Sequence, residues 1–239
     1  MTGPRAFLSH LLDRLCDRFI DRQMERFQRR LLHPNMLLLA EAQKEAAAYA
    51  RDNMPGALAV TRREDSLRIA LDRAPERGLI LEFGVGGGES IRQIAALSGT
   101  RTVHGFDSFE GLPEDWAGRH EERGHYSLGG TPPAVPANVI LHRGLFDSTL
   151  PDFLAAHDGT CAFIHVDCDL YSSARIVLEA LTPRIAPGTI ILFDEYFNYP
   201  TWRDHEHKAF QEFTAANNVT YDYLLWGHQE VAVVIKGMG

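Results

Sequence analysis

Apolar and polar positions follow two different regimes along this chain. Between residues 5 and 32, Phe7, Leu8, Leu11, Leu12, Leu15, Phe19, Met24, Phe27 and Leu31 recur at helical spacing. Arg14, Asp17, Arg18, Asp21, Arg22 and Glu25 occupy the opposite positions, so the spacing predicts a long amphipathic helix. His33-Pro34-Asn35 interrupts it. Two further helices are predicted over 36–53 and 62–73, closed by Met54-Pro55-Gly56 and by the run Ala74–Gly78. From Leu79 onward, short apolar runs alternate with helical stretches, the signature of a parallel α/β sheet. Strands are predicted at 79–83, 102–106, 138–143, 161–166, 189–194, 221–226 and 231–236. Helices are predicted near 89–98, 148–157, 172–185 and 203–217, with Tyr171-Ser172-Ser173 supplying hydroxyl caps to one of them. Residues 1–75 read as a helical extension that covers an acceptor pocket or joins copies of the chain, and residues 76–239 as the α/β domain.

One stretch fits neither regime. Residues 108–137 hold repeated Gly and Pro and no sustained period. A loop of that length in a compact domain is usually functional, and here it is expected to act as a lid. The stripe over 5–32 is longer than one sheet edge needs, which predicts a homo-oligomer, a dimer or larger.

Composition narrows the class. The chain has 239 residues, 45% hydrophobic and 23% charged, ordinary for a globular protein with one sizeable core. A formal net charge of −8 argues against a nucleic-acid partner, which a basic face would mark. No apolar run reaches membrane-spanning length. Charges recur from Asp13 to Arg30, which excludes the apolar core of a signal peptide and predicts a cytoplasmic location. Cys16, Cys161 and Cys168 are odd in number and lack metal-ligand spacing.

The chemistry begins at Leu79-Ile80-Leu81-Glu82-Phe83-Gly84-Val85-Gly86-Gly87-Gly88-Glu89-Ser90. This reads as a strand, a carboxylate at its end, a glycine-rich turn and a helix start. Gly84 and Gly86 permit positive φ and close approach of a ligand. Asp107 ends the next apolar run, where a carboxylate can meet ribose hydroxyls. A pyrophosphate would be repelled by Glu82 and Glu89, and the third glycine of a dinucleotide fingerprint is absent. The carboxylates suit a cofactor with a cationic amino-acid end, and S-adenosylmethionine has one.

A second constellation lies at the ends of two later strands. Cys161–Val166 runs into Asp167, and Ile190–Phe193 runs into Asp194 and Glu195. In an open parallel sheet these three carboxylates converge on the rim that carries Glu82 and Asp107. Their mutual repulsion calls for a positive partner, and an all-oxygen donor set selects a hard cation, Mg²⁺ first. The competing reading is that they only cap helices. Asp169 is assigned to capping the helix that follows. His205 and His207 sit two apart and make a poor chelating pair. His125 and Tyr126, in the long loop, are candidates for touching an acceptor, and His165 shares the strand face of Asp167.

These pieces together resemble the class I S-adenosylmethionine-dependent methyltransferases, and more closely the macrocin O-methyltransferase family, which methylates sugar hydroxyls of macrolides. The resemblance rests on Leu81–Gly86, Gly105–Pro113, Gly144–Pro151, His165–Tyr171 and Phe193–Tyr196. It implies a seven-stranded, mostly parallel sheet with the last strand antiparallel and helices on both faces. It implies S-adenosylmethionine at Glu82, Phe83, Gly84, Gly86, Ser90, Asp107, Ser108, Phe146 and Asp167. It also implies Mg²⁺ on Asp167, Asp194 and Glu195, with Asp167 as catalytic base toward a hydroxyl of a small sugar or other natural-product acceptor. Departures from the macrolide enzymes fall at Glu195 and His165. A metal-independent methyltransferase, a cofactor-binding module without turnover and a nucleotide-dependent oxidoreductase are the alternatives.

Overall fold

The computed structural model describes residues 4–239. They divide into two compact units, one ending at Glu41 and the other covering Ala42–Gly239. The first holds helix α1 (Pro4–Leu31) and the start of α2 (Pro34–Asn53). The predicted amphipathic pattern does form one helix. Phe19, Ile20, Met24, Phe27, Leu31 and Leu32 on it and just after it are exposed. The side chains of Phe7, Leu8 and Leu11 lie outside the described residues.

The second unit is built on a mixed sheet of eight strands among the described residues. In chain order the strands are β1 (Leu58–Ala59), β2 (Leu79–Phe83), β3 (Val103–Asp107), β4 (Val139–Arg143), β5 (Cys161–Val166), β6 (Ile190–Phe193), β7 (Thr220–Trp226) and β8 (Val231–Gly237). Their spatial order is β1-β7-β8-β6-β5-β2-β3-β4. Only β8 runs antiparallel to its neighbours β6 and β7. Seven of the strands fall where the sequence pattern puts them. The eighth, β1, is two residues long and pairs with β7, too short to leave a period in the sequence.

The strands read as continuous apolar runs because helices cover both faces. Leu81, Phe83, Ile164, Val166, Ile191 and Phe193 point into one core cluster. It is completed by α2, α5 (Phe146–Ala156), α6 (Tyr171–Leu181) and α7 (Glu206–Ala216). The alternate residues Ile80, Phe163, Ile190 and Leu192 point into the other cluster, under α3 (Arg63–Arg73) and α4 (Glu89–Leu97). On α2, Ala42, Ala46 and Ala50 recur every fourth position and are buried, so small side chains let that helix approach closely.

Residues 108–137 contain no helix or strand, yet they are packed. Phe109, Leu112 and Trp116 are buried, and Arg119 lies 4.2 Å over the Trp116 ring while pairing with Glu121. Leu112 N–H donates to the His125 carbonyl and Gly124 N–H donates back to that of Leu112. Trp116 meets Tyr199 and His205 edge-on, which anchors the loop to the segment before α7.

At the opposite edge, His104 on β3, His142 on β4 and His157 after α5 crowd around Phe153, with His104 Nδ1 3.1 Å from His142 Nε2. Burial, and then the neighbouring His142 and His157, push the His104 imidazole down to about 4 from 6.5. Folding therefore disfavours its protonation. The unfolded chain binds more protons between those values, so stability is complete above pH 6.5 and is lost as pH falls toward 4. Urea unfolding across this window should show His104 alone costing about 2–3 kcal/mol. His104→Leu should flatten the slope, and an unchanged slope would contradict the assignment.

Candidate functional site

The rim of the sheet is assembled by backbone bonds that continue the strand ladders past their ends. Gly84 N–H donates to the Phe106 carbonyl, Asp167 N–H to that of Phe83, and Asp194 N–H to that of Val166. The glycine turn and the carboxylates after β5 and β6 are thereby held side by side. Gly84 must be glycine here: φ is +93°, and a Cβ would collide with the Asp167 carbonyl oxygen. Gly88, at φ +82°, is the N-cap of α4.

A cleft of about 780 Å³ opens over this rim. Gly84, Gly86, Ser90, Asp107, Ser108, Phe146, Asp167, Asp194 and Glu195 all line it, as the sequence reading requires. Glu82 and Phe83 do not. Both are 0% exposed. Phe83 stacks on Phe106 and meets Phe146 edge-on, so it backs the cleft from the core. The Glu82 side chain turns sideways within the sheet to His165, Oε1 lying 2.9 Å from Nδ1. The registered pairing of Glu82 with His165 across β2 and β5 makes that contact direct. The Asp107 carboxylate accepts the Gly86 and Phe109 N–H groups, each at 2.7 Å, and so ties the glycine turn to the end of β3.

The carboxylate cluster holds two internal cations. His165 is fully buried between Glu82 and Asp194, with Nε2 3.7 Å from Asp194 Oδ1. Burial alone would lower its pKa. The flanking carboxylates of Asp194 and Glu82 outweigh that and raise it to about 10. Arg63, on the first turn of α3, reaches across the cleft. Its Nη2 lies 2.7 Å from both Asp167 Oδ2 and Asp194 Oδ1, and its Nε also donates to Asp194. Burial works against an ionised Asp194, but His165 and Arg63 hold its pKa below the usual carboxylate range. Burial and then repulsion from Asp194 push Asp167 and Glu195 well upward, and Asp169 up to about 7.

Several placements differ from the sequence reading. Asp169 does not cap α6. The N-cap is Leu170 without a side-chain bond, and Asp169 adopts φ +63° and lines the cleft. The serines do not cap α6 either. Ser172 donates to Glu114 at 2.6 Å and so links α6 to the long loop. Of the loop pair, Tyr126 lines the cleft, its hydroxyl pushed up to about 12 by burial, whereas His125 does not. His205 and His207 lie away from it. His205 Nε2 sits 3.1 Å from the Ala117 carbonyl, and His207 packs among Tyr49, Tyr196 and Trp202.

Two residues went unread. Arg63 carried one signal, a cation on the first turn of a helix, where the dipole disfavours it. Glu206 carried none. It is 0% exposed and accepts the backbone N–H groups of Glu195 at 3.1 Å and Cys168 at 3.4 Å. It thus clamps the two loops that carry the carboxylates. Glu206→Gln keeps one acceptor oxygen but turns an NH₂ group toward the other N–H, so it should lose one of the two bonds and cost about 1 kcal/mol. Glu206→Leu leaves both donors unpaired and should cost about 1–3 kcal/mol in urea unfolding. Equal stability of the two variants would show that the clamp does not matter.

Known proteins share this frame. A family model described as a methyltransferase domain matches residues 81–196, from the glycine turn to the second carboxylate pair. A Streptomyces olivaceus protein, 8-demethyl-8-(2,3-dimethoxy-alpha-L-rhamnosyl)-tetracenomycin-C 4'-O-methyltransferase, is 33% identical over 56% of this chain and 60% of its own length. The chain therefore spans about 60% of the curated relative it matches. The calicheamicin methyltransferase CalS11 is similar in structure, with a TM-score of 0.58 and 24% identity over 84% of this chain and 91% of that one. An apo structure of CalS11, described as a TDP-rhamnose 3'-O-methyltransferase, gives 0.50 and 26% over 72% and 76%. The O-methyltransferase NovP gives 0.54 and 22% over 73% and 79%. The strand order with its antiparallel β8 and these structural likenesses place the chain on the class I methyltransferase fold, with the stretch from Leu81 to Tyr196 matching a methyltransferase-domain model.

Proposed function

We propose that this protein is an S-adenosylmethionine-dependent O-methyltransferase acting, with a divalent cation, on a hydroxyl of a sugar-bearing natural product. The observation that carries the reading is the single cleft in which the glycine turn and Asp107 adjoin Asp167, Asp194 and Glu195. The similarity to a rhamnosyl-tetracenomycin O-methyltransferase and to CalS11 supports a sugar hydroxyl as acceptor.

The residues fit both groups. Gly86, at φ +49°, has nothing within 4 Å of where a Cβ would stand, so the turn is open to a ligand there, while Gly84 lets the turn pack against Asp167. Ser90, Ser108 and Phe146 border the same space. S-adenosylmethionine supplies an electrophilic methyl group there. Oxygen atoms of Asp167, Asp194 and Glu195 lie within 4.8 Å of one another, and Glu195 Oε2 is buried without a partner. An orphaned carboxylate oxygen beside two others is a donor set for a hard cation. A cation held there supplies the positive charge that makes a hydroxyl proton easier to remove. Asp167 then takes that proton on its carboxylate, while Tyr126, Leu112 and Ile176 along the cleft hold the acceptor and exclude water.

The metal-independent reading has one observation in its favour, since Arg63 already bridges Asp167 and Asp194. Chelation separates the two. Methyl transfer to rhamnosylated polyketides should stop in excess EDTA and return with Mg²⁺, and Asp167→Asn should abolish turnover while retaining cofactor binding. Full turnover under chelation would establish the metal-independent enzyme. Asp107→Ala should weaken S-adenosylmethionine in calorimetry by about 1.5–3 kcal/mol, the value of a charge-assisted bond. Undiminished affinity would remove Asp107 from the cofactor site.

Self-association between copies of this chain completes the reading, supported by the exposed Phe19, Ile20, Met24 and Phe27 of α1. Light scattering should give a dimer or larger, and a monomer would refute it.

A further inference from the structure

We propose that Arg63 is an internal occupant of the carboxylate site, displaced when a divalent cation binds. This rests on the metal-assisted reading and concerns how that same site is regulated. The argument begins with shared atoms. Arg63 Nη2 lies 2.7 Å from Asp167 Oδ2 and 2.7 Å from Asp194 Oδ1. Magnesium–oxygen distances are about 2.0–2.1 Å. Two cations sharing an oxygen at those distances stand less than about 5 Å apart, where their repulsion is substantial in a partly buried site. Both cannot keep these oxygens.

The guanidinium is also an incomplete partner. Its bonds reach Asp167 and Asp194, while Glu195 Oε2 remains buried and unpaired. A compact dication engages all three carboxylates from one point, which a planar fork on α3 does not. Arg63 has somewhere to go, because its side chain is 42% exposed and lies along the open cleft. His165 does not compete in this way. It is enclosed and tied to Glu82 through Nδ1, so it stays in place when Arg63 leaves. The device keeps the carboxylates from repelling one another open when no dication is present. It also sets a threshold concentration that the dication must exceed.

The test compares wild type and Arg63→Met by calorimetric titration with MgCl₂, and by thermal unfolding with and without MgCl₂. Arg63→Met should bind Mg²⁺ at least about tenfold more tightly, melt lower than wild type without Mg²⁺, and recover when it is added. Binding of equal or lower affinity in the variant overturns the inference and leaves the metal site standing. Absence of Mg²⁺ binding in both proteins overturns the inference and the metal reading together. Should Arg63→Met not fold, nitrogen-15 NMR of the wild type decides. The Arg63 Nε–H signal, protected by its bond to Asp194, should shift and exchange faster as MgCl₂ is added. A signal that stays fixed while Mg²⁺ binds also overturns the inference.

Discussion

Repulsion between carboxylates is the constraint around which this molecule is organised. Asp167, Asp169, Asp194, Glu195 and Glu206 crowd one rim of the sheet, and Glu82 lies just beneath. Buried acids of one sign cannot all ionise unless cations stand among them. The fold supplies two. His165 sits inside the sheet, fixed by register against Glu82, and Arg63 reaches in from the first turn of α3. Glu206 adds the third restraint, holding the backbones of Cys168 and Glu195 rather than another side chain. Such an arrangement costs stability and sets strongly perturbed carboxylates at the mouth of a cleft, the setting in which functional sites cluster.

The rest of the architecture serves that rim. Two apolar clusters, one on each face of the sheet, fix the strands so that their ends coincide. Gly84 lets the first turn pass against Asp167 without a side chain between, and Asp107 ties that turn to the end of β3. The glycine-turn side and the carboxylate side of the cleft are therefore joined through the backbone. The long loop over residues 108–137 borders it, pinned in its first third by the Ser172–Glu114 bond and by Trp116 against Tyr199.

What the sequence revealed and what it hid follow from the range of the interactions. Strands flanked by helices leave apolar runs, and the ends of those runs put Asp107, Asp167, Asp194 and Glu195 on one rim lining one cleft, because strand ends on one edge must converge. The direction of a side chain is another matter. The strand-end position of Glu82 points toward the cofactor turn, but its partner is His165, 83 residues away, which no local pattern records. Asp169 stands where Asp commonly caps a helix. Its positive φ turns it into the cleft instead. Arg63 and Glu206 act through contacts 104 and 38 residues distant, and β1 exists only because β7 offers it an edge.

The account stands or falls on whether the carboxylate set holds a cation. Crystals grown with MnCl₂ and S-adenosylhomocysteine, with data collected at the manganese edge, address this directly. The account predicts an anomalous peak bonded to Asp167, Asp194 and Glu195, with the Arg63 guanidinium moved off Asp167 and Asp194. Arg63 still bridging those two carboxylates, with no anomalous peak between them and Glu195, would contradict it.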